Sequence, residues 1–180
     1  MRTTPGERVI DSRSSLRSDG RGWALFLGVG ALVFLVDQAS KYVVQRNLSV
    51  GEMWNPVLFL KPFVTLTHVT NTGAAFGLFQ EHGTLFAMVA VLVVGGIVVF
   101  YRYLPPSDVW LRISLGLQLG GAVGNLLDRV RLGSVVDFID FKIWPVFNLA
   151  DTAIVAGVAI LAFFLLFSEH EDEQRSEGHN

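Results

Sequence analysis

Four long runs of the chain carry no charged residue: Gly22–Val36, Gly83–Tyr101, Ile113–Leu127 and Thr152–Ser168. They have little of the apolar–polar alternation of a helix packed on a soluble core. A membrane-spanning helix needs about 20 mainly apolar residues. The second run has that length alone, and the others reach it by extending past a charge at one end. The pattern predicts spans at about 23–44, 83–102, 110–128 and 151–168. Small residues recur at every fourth position, as Gly116, Gly120 and Gly124 in the third span and Ala153 and Gly157 in the fourth. Such strips let helix backbones approach closely in lipid.

The segments between the spans are not simple turns. Val64-Thr65-Leu66-Thr67-His68-Val69-Thr70 alternates apolar with polar residues, which predicts a strand. Val135–Phe141 is apolar with two acids inserted. With alternating helix directions, both segments emerge on one face. The expected fold is therefore a membrane all-α bundle of four transmembrane helices with a small extracytoplasmic β-sheet platform, the platform falling within 45–82. Residues 1–21, with five arginines, read as a flexible basic cytoplasmic arm. They are too polar for a standard secretory signal. Residues 22–168 form the membrane domain and 169–180 an acidic cytoplasmic tail.

Composition narrows the class further. Of 30 charged residues in 180, 16 lie between residues 22 and 168, eight acids and eight bases. That is about 11%, against roughly 25% in soluble domains. With no basic surplus, nucleic-acid binding is not expected. The chain has no cysteine, which excludes disulfides, a thiol nucleophile and thiolate metal sites. Its four histidines are scattered, and neither metal nor cofactor is expected. Lys and Arg counts favour the side that holds both termini, eight to six, so both termini are placed in the cytoplasm.

The remaining acids are where chemistry is expected. The alternating topology brings Asp37, Asp128 and Asp151 to one level, near the outer interface, with Asp137 in the loop joining two of them. Carboxylates near hydrocarbon are costly and need partners or a purpose. Asp37 and Lys41 are spaced to pair on a helix. Asp128 is followed by Arg129 and Arg131. Asp151 suits a helix N-terminus. Asp137 has no evident basic partner and is flanked by Val136 and Phe138, surroundings that raise a carboxyl pKa. Two carboxyls held close share one proton, so one can act as base on water and the other as acid toward a peptide. The residues alone do not choose a pair among Asp37, Asp128, Asp137, Asp140 and Asp151. A proton relay or transporter is an alternative, but it predicts acids at several depths. A non-catalytic scaffold is another.

Five stretches then carry a resemblance. Asp37-Gln-Ala-Ser-Lys41, Asn71-Thr-Gly-Ala-Ala-Phe76, Gly120-Gly-Ala-Val-Gly-Asn-Leu-Leu-Asp-Arg129, Gly133-Ser-Val-Val-Asp-Phe138 and Phe147-Asn-Leu-Ala-Asp-Thr152 occur in the order found in lipoprotein signal peptidases, the signal peptidase II family, which the chain closely resembles. The resemblance implies an aspartic endopeptidase of the bacterial inner membrane. Its substrates would be prolipoprotein signal peptides, cut just before a cysteine carrying diacylglyceryl, with membrane lipids as further partners. It implies Asp137 and Asp151 as the catalytic dyad. Asn71, Gly73, Asn125, Asp128, Arg129 and Asn148 would line or brace the site, and Asp37 and Lys41 would hold the end of the first helix. No cofactor is implied, and a monomer is expected.

Overall fold

The structure, a computed structural model, describes residues 20–73, 83–103 and 109–177, with side chains to residue 167. Nearly all of the basic arm, residues 74–76 of the second motif and the acidic side chains of the tail lie outside the described residues. The elements run α1 (Gly20–Asn47), β1 (Met53–Trp54), β2 (Thr65–Asn71), α2 (Gly83–Tyr101), α3 (Val109–Leu132), β3 (Val135–Asp140) and α4 (Leu149–Glu177). A short 3-10 turn, Leu58–Leu60, lies between β1 and β2.

Among the described residues three helices are long and apolar enough to cross a membrane: α1, α2 and α4 over Leu149–Phe167. Their apolar side chains point mostly outward; Leu92 of α2 is 75% exposed. A surface of this kind is stable against lipid rather than water. The third expected span, α3, differs. It contains Arg112, Asn125, Asp128, Arg129 and Arg131, and it packs against all three other helices. Enclosed in this way, it needs little apolar outer surface and turns Arg112, Asn125 and Asp128 inward, while Arg131 stays exposed.

The small residues explain how α3 is enclosed. A methyl group on Gly116 would meet the Phe26 carbonyl of α1, and one on Gly120 would meet that of Gly30. On the other side, Gly121 lies against the Ala150 carbonyl of α4, and Gly157 of α4 against the Ser114 carbonyl. At the far end of α1 from the platform, Phe26 stacks on Tyr101 with ring centroids 4.2 Å apart. Arg112 donates to the Tyr101 hydroxyl at 3.2 Å, tying α3 to α2.

The sheet is antiparallel in the order β1-β2-β3. The platform expected within 45–82 thus takes its third strand from 135–140, because β3 supplies the ladder that β2 needs on its inner side. The pairing slips between Leu66 and Val69, so that two residues of β2 bulge opposite one of β3. Val136 and Phe138 bury one face of β3 against Val44 and Leu48 at the end of α1, with Leu149 beside them. That cluster fixes β3 over the junction of α1 and α4.

Candidate active site

Strand alternation sends Asp137 to the side of β3 opposite Val136 and Phe138. Asn71 Nδ2 donates to its Oδ2 at 3.0 Å and Asn148 Nδ2 to its Oδ1 at 2.7 Å. Asn71 is itself aimed by an Asx turn, in which the Gly73 amide donates to its Oδ1 at 3.0 Å.

Asp151 stands in the first turn of α4, where Asn148 is the N-cap. The two form a reciprocal capping box. The Asp151 amide donates to Asn148 Oδ1 at 2.9 Å, and the Asn148 amide donates to Asp151 Oδ2 at 3.3 Å. Asn125 Nδ2 of α3 donates to the other carboxylate oxygen at 2.7 Å. Asn148, fully buried, gives its second side-chain proton to Asn125 Oδ1 at 3.1 Å. Three asparagines thus join two aspartates that arise from separate elements.

Below this layer lies a cationic knot. Lys41 Nζ contacts Asp37 Oδ2 and Asp128 Oδ2, each at 2.8 Å, and donates to Asn125 Oδ1 at 2.9 Å. All three of its protons therefore have acceptors. Asp37 Oδ1 also accepts the Ala150 amide at 3.0 Å, which satisfies a free N–H at the start of α4. Asp128 accepts the Val136 amide at 3.3 Å and binds α3 to β3. The expected i, i+4 pairing of Asp37 with Lys41 is present. Asp128 pairs with Lys41 rather than with its sequence neighbours Arg129 and Arg131, because its carboxyl turns into the bundle toward α1.

Gln38 joins the site without a role expected from sequence. Its Nε2 donates to Asp128 Oδ1 at 3.0 Å, Asp37 Oδ2 at 3.2 Å and the Gly124 carbonyl at 3.3 Å. Its place between Asp37 and Lys41 was the only available signal.

Above the asparagine layer a cavity of about 210 Å³ opens. Asp137, Asp151, Asn71, Asn125 and Arg129 line its polar side; Val135 and the segment Trp144–Phe147 form its apolar wall. Nothing local in the sequence ties 144–147 to the aspartates. The tie is the bridge of Phe147 to Ile139. Arg129 lies with its guanidinium 5.7 Å from the Phe86 ring centroid and donates to the Asn125 carbonyl at 3.3 Å.

Of the five candidate acids, two face the cavity. Asp37 and Asp128 are committed to Lys41. Asp140 lies aside; partial burial would raise its carboxyl pKa, but bonds from Lys142 and Thr67 hold it below the ordinary range. Asp137 is pushed up to about 7. Burial is the main cause, and the charge of Asp151 adds to it against hydrogen bonds from Asn71 and Asn148. Among the described residues no cation lies within ion-pairing distance of Asp137.

Apolar outward-facing helices around a cleft that holds two linked carboxyls define an integral membrane protein with an enzyme-like site. Two bacterial membrane enzyme structures, obtained by the in meso method at 2.3 and 1.9 Å, superpose with TM-scores of 0.73 and 0.71. Both are 29% identical in sequence, cover 78% and 79% of this chain, and are themselves covered over 87% and 92% of their lengths. The lipoprotein signal peptidase of Moorella thermoacetica is 52% identical over 81% of this chain and 95% of its own length. That of Enterococcus faecalis is 36% identical over 84% and 94%. The sequence model of Signal peptidase (SPase) II matches residues 29–167. The chain belongs to the signal peptidase II family, and is a peptidase rather than a transporter or a passive scaffold.

Proposed function

We propose that the chain is an aspartic endopeptidase of the bacterial inner membrane. It cleaves the signal peptide from diacylglyceryl-modified prolipoproteins just before the lipidated cysteine. The observation that carries this reading is the opening of Asp137 and Asp151 into one cavity, joined through Asn148.

The two carboxyls divide the work by environment. Asp137, with a pKa near neutrality, is the protonated member. Asp151 sits in the first turn of α4, where the helix dipole complements a negative charge; it is the base. Asp151 takes a proton from water, and the oxygen attacks the scissile carbonyl carbon. Asp137 gives its proton to the carbonyl oxygen as the tetrahedral centre forms. Collapse of that centre breaks the C–N bond. The leaving nitrogen takes the proton that Asp151 gained, and Asp137 recovers its own. Arg129 stands at the cavity wall, where its charge stabilises developing negative charge.

The supporting residues take positioning roles in this reading, with Asp128 moved from the site lining to the knot beneath it. Asn71, Gly73, Asn125 and Asn148 orient the carboxyls, while Asp37, Lys41 and Asp128 hold the helix ends beneath them. In this reading α3 is the fourth span, both termini are cytoplasmic, and the site lies near the extracytoplasmic face. The proposed working unit is a monomer. A substrate whose acyl chains stay in the bilayer would bring its scissile bond to this depth already positioned.

The test is cleavage by the purified, bilayer-reconstituted protein. A diacylglyceryl prolipoprotein should yield a mature chain that begins at the lipidated cysteine, and the unlipidated precursor should remain intact. Failure to cut the lipidated form, or equal cutting of both, would overturn the reading.

A further inference from the structure

Two loops leave the same end of the sheet. The pairing of Thr65 with Asp140 sets the start of β2 beside the end of β3. Residues 55–64 and 141–147 therefore emerge together. Both are apolar where they project. Leu58 is 79% exposed, Phe59 76% and Phe63 67% in one loop; Ile143 is 94% and Trp144 62% in the other.

Neither loop is slack. In the first, the Leu60 amide donates to the Val57 carbonyl at 3.0 Å, and the Phe63 and Val64 amides donate to the Leu60 carbonyl, each at 2.8 Å. In the second, Lys142 takes the left-handed conformation (φ 66°), the only non-glycine to do so among the described residues. Asp140 holds it by accepting from its amide at 2.8 Å and its Nζ at 2.7 Å. The Ile143 amide donates to the Phe141 carbonyl at 2.8 Å, and Phe141 stacks on Phe147 at 5.6 Å. These bonds hold apolar side chains outward that a loose loop would fold in.

Lipid is the occupant the surroundings favour. Trp144 lies five residues before Leu149, where the apolar span of α4 begins; an extended chain of that length reaches no more than about 18 Å. Lys61 and Lys142 belong to the same two loops as the aromatic and aliphatic tips, the mixture of types found at membrane–water interfaces. Trp144 also walls the cavity.

We infer that this end of the sheet is a second membrane-embedded element. Leu58, Phe59 and Phe63 from one loop and Ile143 and Trp144 from the other enter the headgroup–acyl boundary of the outer leaflet. Their insertion holds the mouth of the Asp137–Asp151 cavity at the depth of a lipid-modified substrate. The inference rests on the proposed placement of the sheet on the extracytoplasmic side of the bilayer and concerns binding, so its failure is separable from that of the cleavage reading.

The natural chain has no cysteine, so Phe59→Cys and Ile143→Cys can each carry a single environment-sensitive fluorophore. The labelled proteins are reconstituted in phosphatidylcholine vesicles. Nitroxide on the acyl chain near the headgroup should quench both labels strongly, and aqueous iodide should quench them weakly. Iodide quenching equal to that of free dye would overturn the inference. So would nitroxide-insensitive protection that varies with the protein-to-lipid ratio, which would mark a second copy as the occupant. Neither residue lines the cavity, which allows a functional arm. The double variant Phe59→Glu, Ile143→Glu should raise KM for lipidated substrate in bilayers by about tenfold while detergent-phase kcat holds. Unchanged KM in bilayers would count against insertion. Lipid quenching at both positions in a protein that cleaves nothing would support the inference and end the cleavage reading.

Discussion

Asn148 and Asp137 are joined by a 2.7 Å hydrogen bond that spans the gap between the start of α4 and β3. The same asparagine caps the helix that carries Asp151. One side chain therefore sets the position of one carboxyl and the helix start beneath the other. Asn148→Ala should cost about 1–2 kcal/mol of stability through the lost cap. It should also lower kcat by about 100-fold, because both carboxyls lose their common reference. Thermal unfolding and single-turnover cleavage separate the two effects; lost stability with kcat intact would reduce Asn148 to a cap.

The position of Asp137 has a pH consequence. Its carboxyl is raised from 3.8 to about 7 in the folded protein, so the native state binds its proton more tightly than the unfolded state does. Burial of Asp137 costs nothing well below pH 3.8. The cost grows as pH rises from there and is complete above about 7. Asp137→Asn should therefore stabilise the protein at pH 8, by about 1–3 kcal/mol, and change little at pH 4. The reaction needs that proton, so kcat/KM of the native protein should fall as pH rises through about 7. A flat profile across this range would contradict the assignment of Asp137 as the acid.

Among the described residues Lys41 is the one cation that pairs with Asp37 and Asp128. Lys41→Met would leave two carboxylates buried without their partner, a loss of about 3–5 kcal/mol. The expected result is poor yield and a lower unfolding temperature in detergent. Asp37→Asn should act the same way more mildly, with kcat of the folded fraction within about threefold of native. A stable but inactive Asp37→Asn protein would move Asp37 into the reaction itself.

Two glycines with similar sequence surroundings should behave oppositely. A methyl on Gly120 collides with the Gly30 carbonyl, whereas one on Gly95 meets nothing within 4 Å. Gly120→Ala should destabilise by about 1–3 kcal/mol. Gly95→Ala should be neutral or stabilise by roughly 0.5–1 kcal/mol through helix propensity. Comparison of their unfolding temperatures tests the packing of α3 on α1.

The sequence made α2 plain, because its 19 uncharged residues from Gly83 to Tyr101 face outward on nearly every side. It also showed the small-residue strips and the strand around Val64–Thr70, whose periods are local. It was less informative about α3, where Arg112, Asn125 and Asp128 are polar because the other helices surround them. Local spacing suggested Arg129 and Arg131 as partners for Asp128; the partner is Lys41, distant in sequence. The wall at Trp144–Phe147 and the bracing of Gln38 arise from tertiary pairing that no local pattern encodes. Only the family resemblance singles out Asp137 and Asp151; the residues by themselves leave five acids open.

The most direct test of the account is conversion of a diacylglyceryl prolipoprotein by purified Asp137→Asn and Asp151→Asn proteins in bilayers, with folding verified by unfolding temperature. Each folded variant should lose cleavage by at least about 1,000-fold, since neither carboxyl does the other's work. Native-like conversion by either one would contradict the dyad.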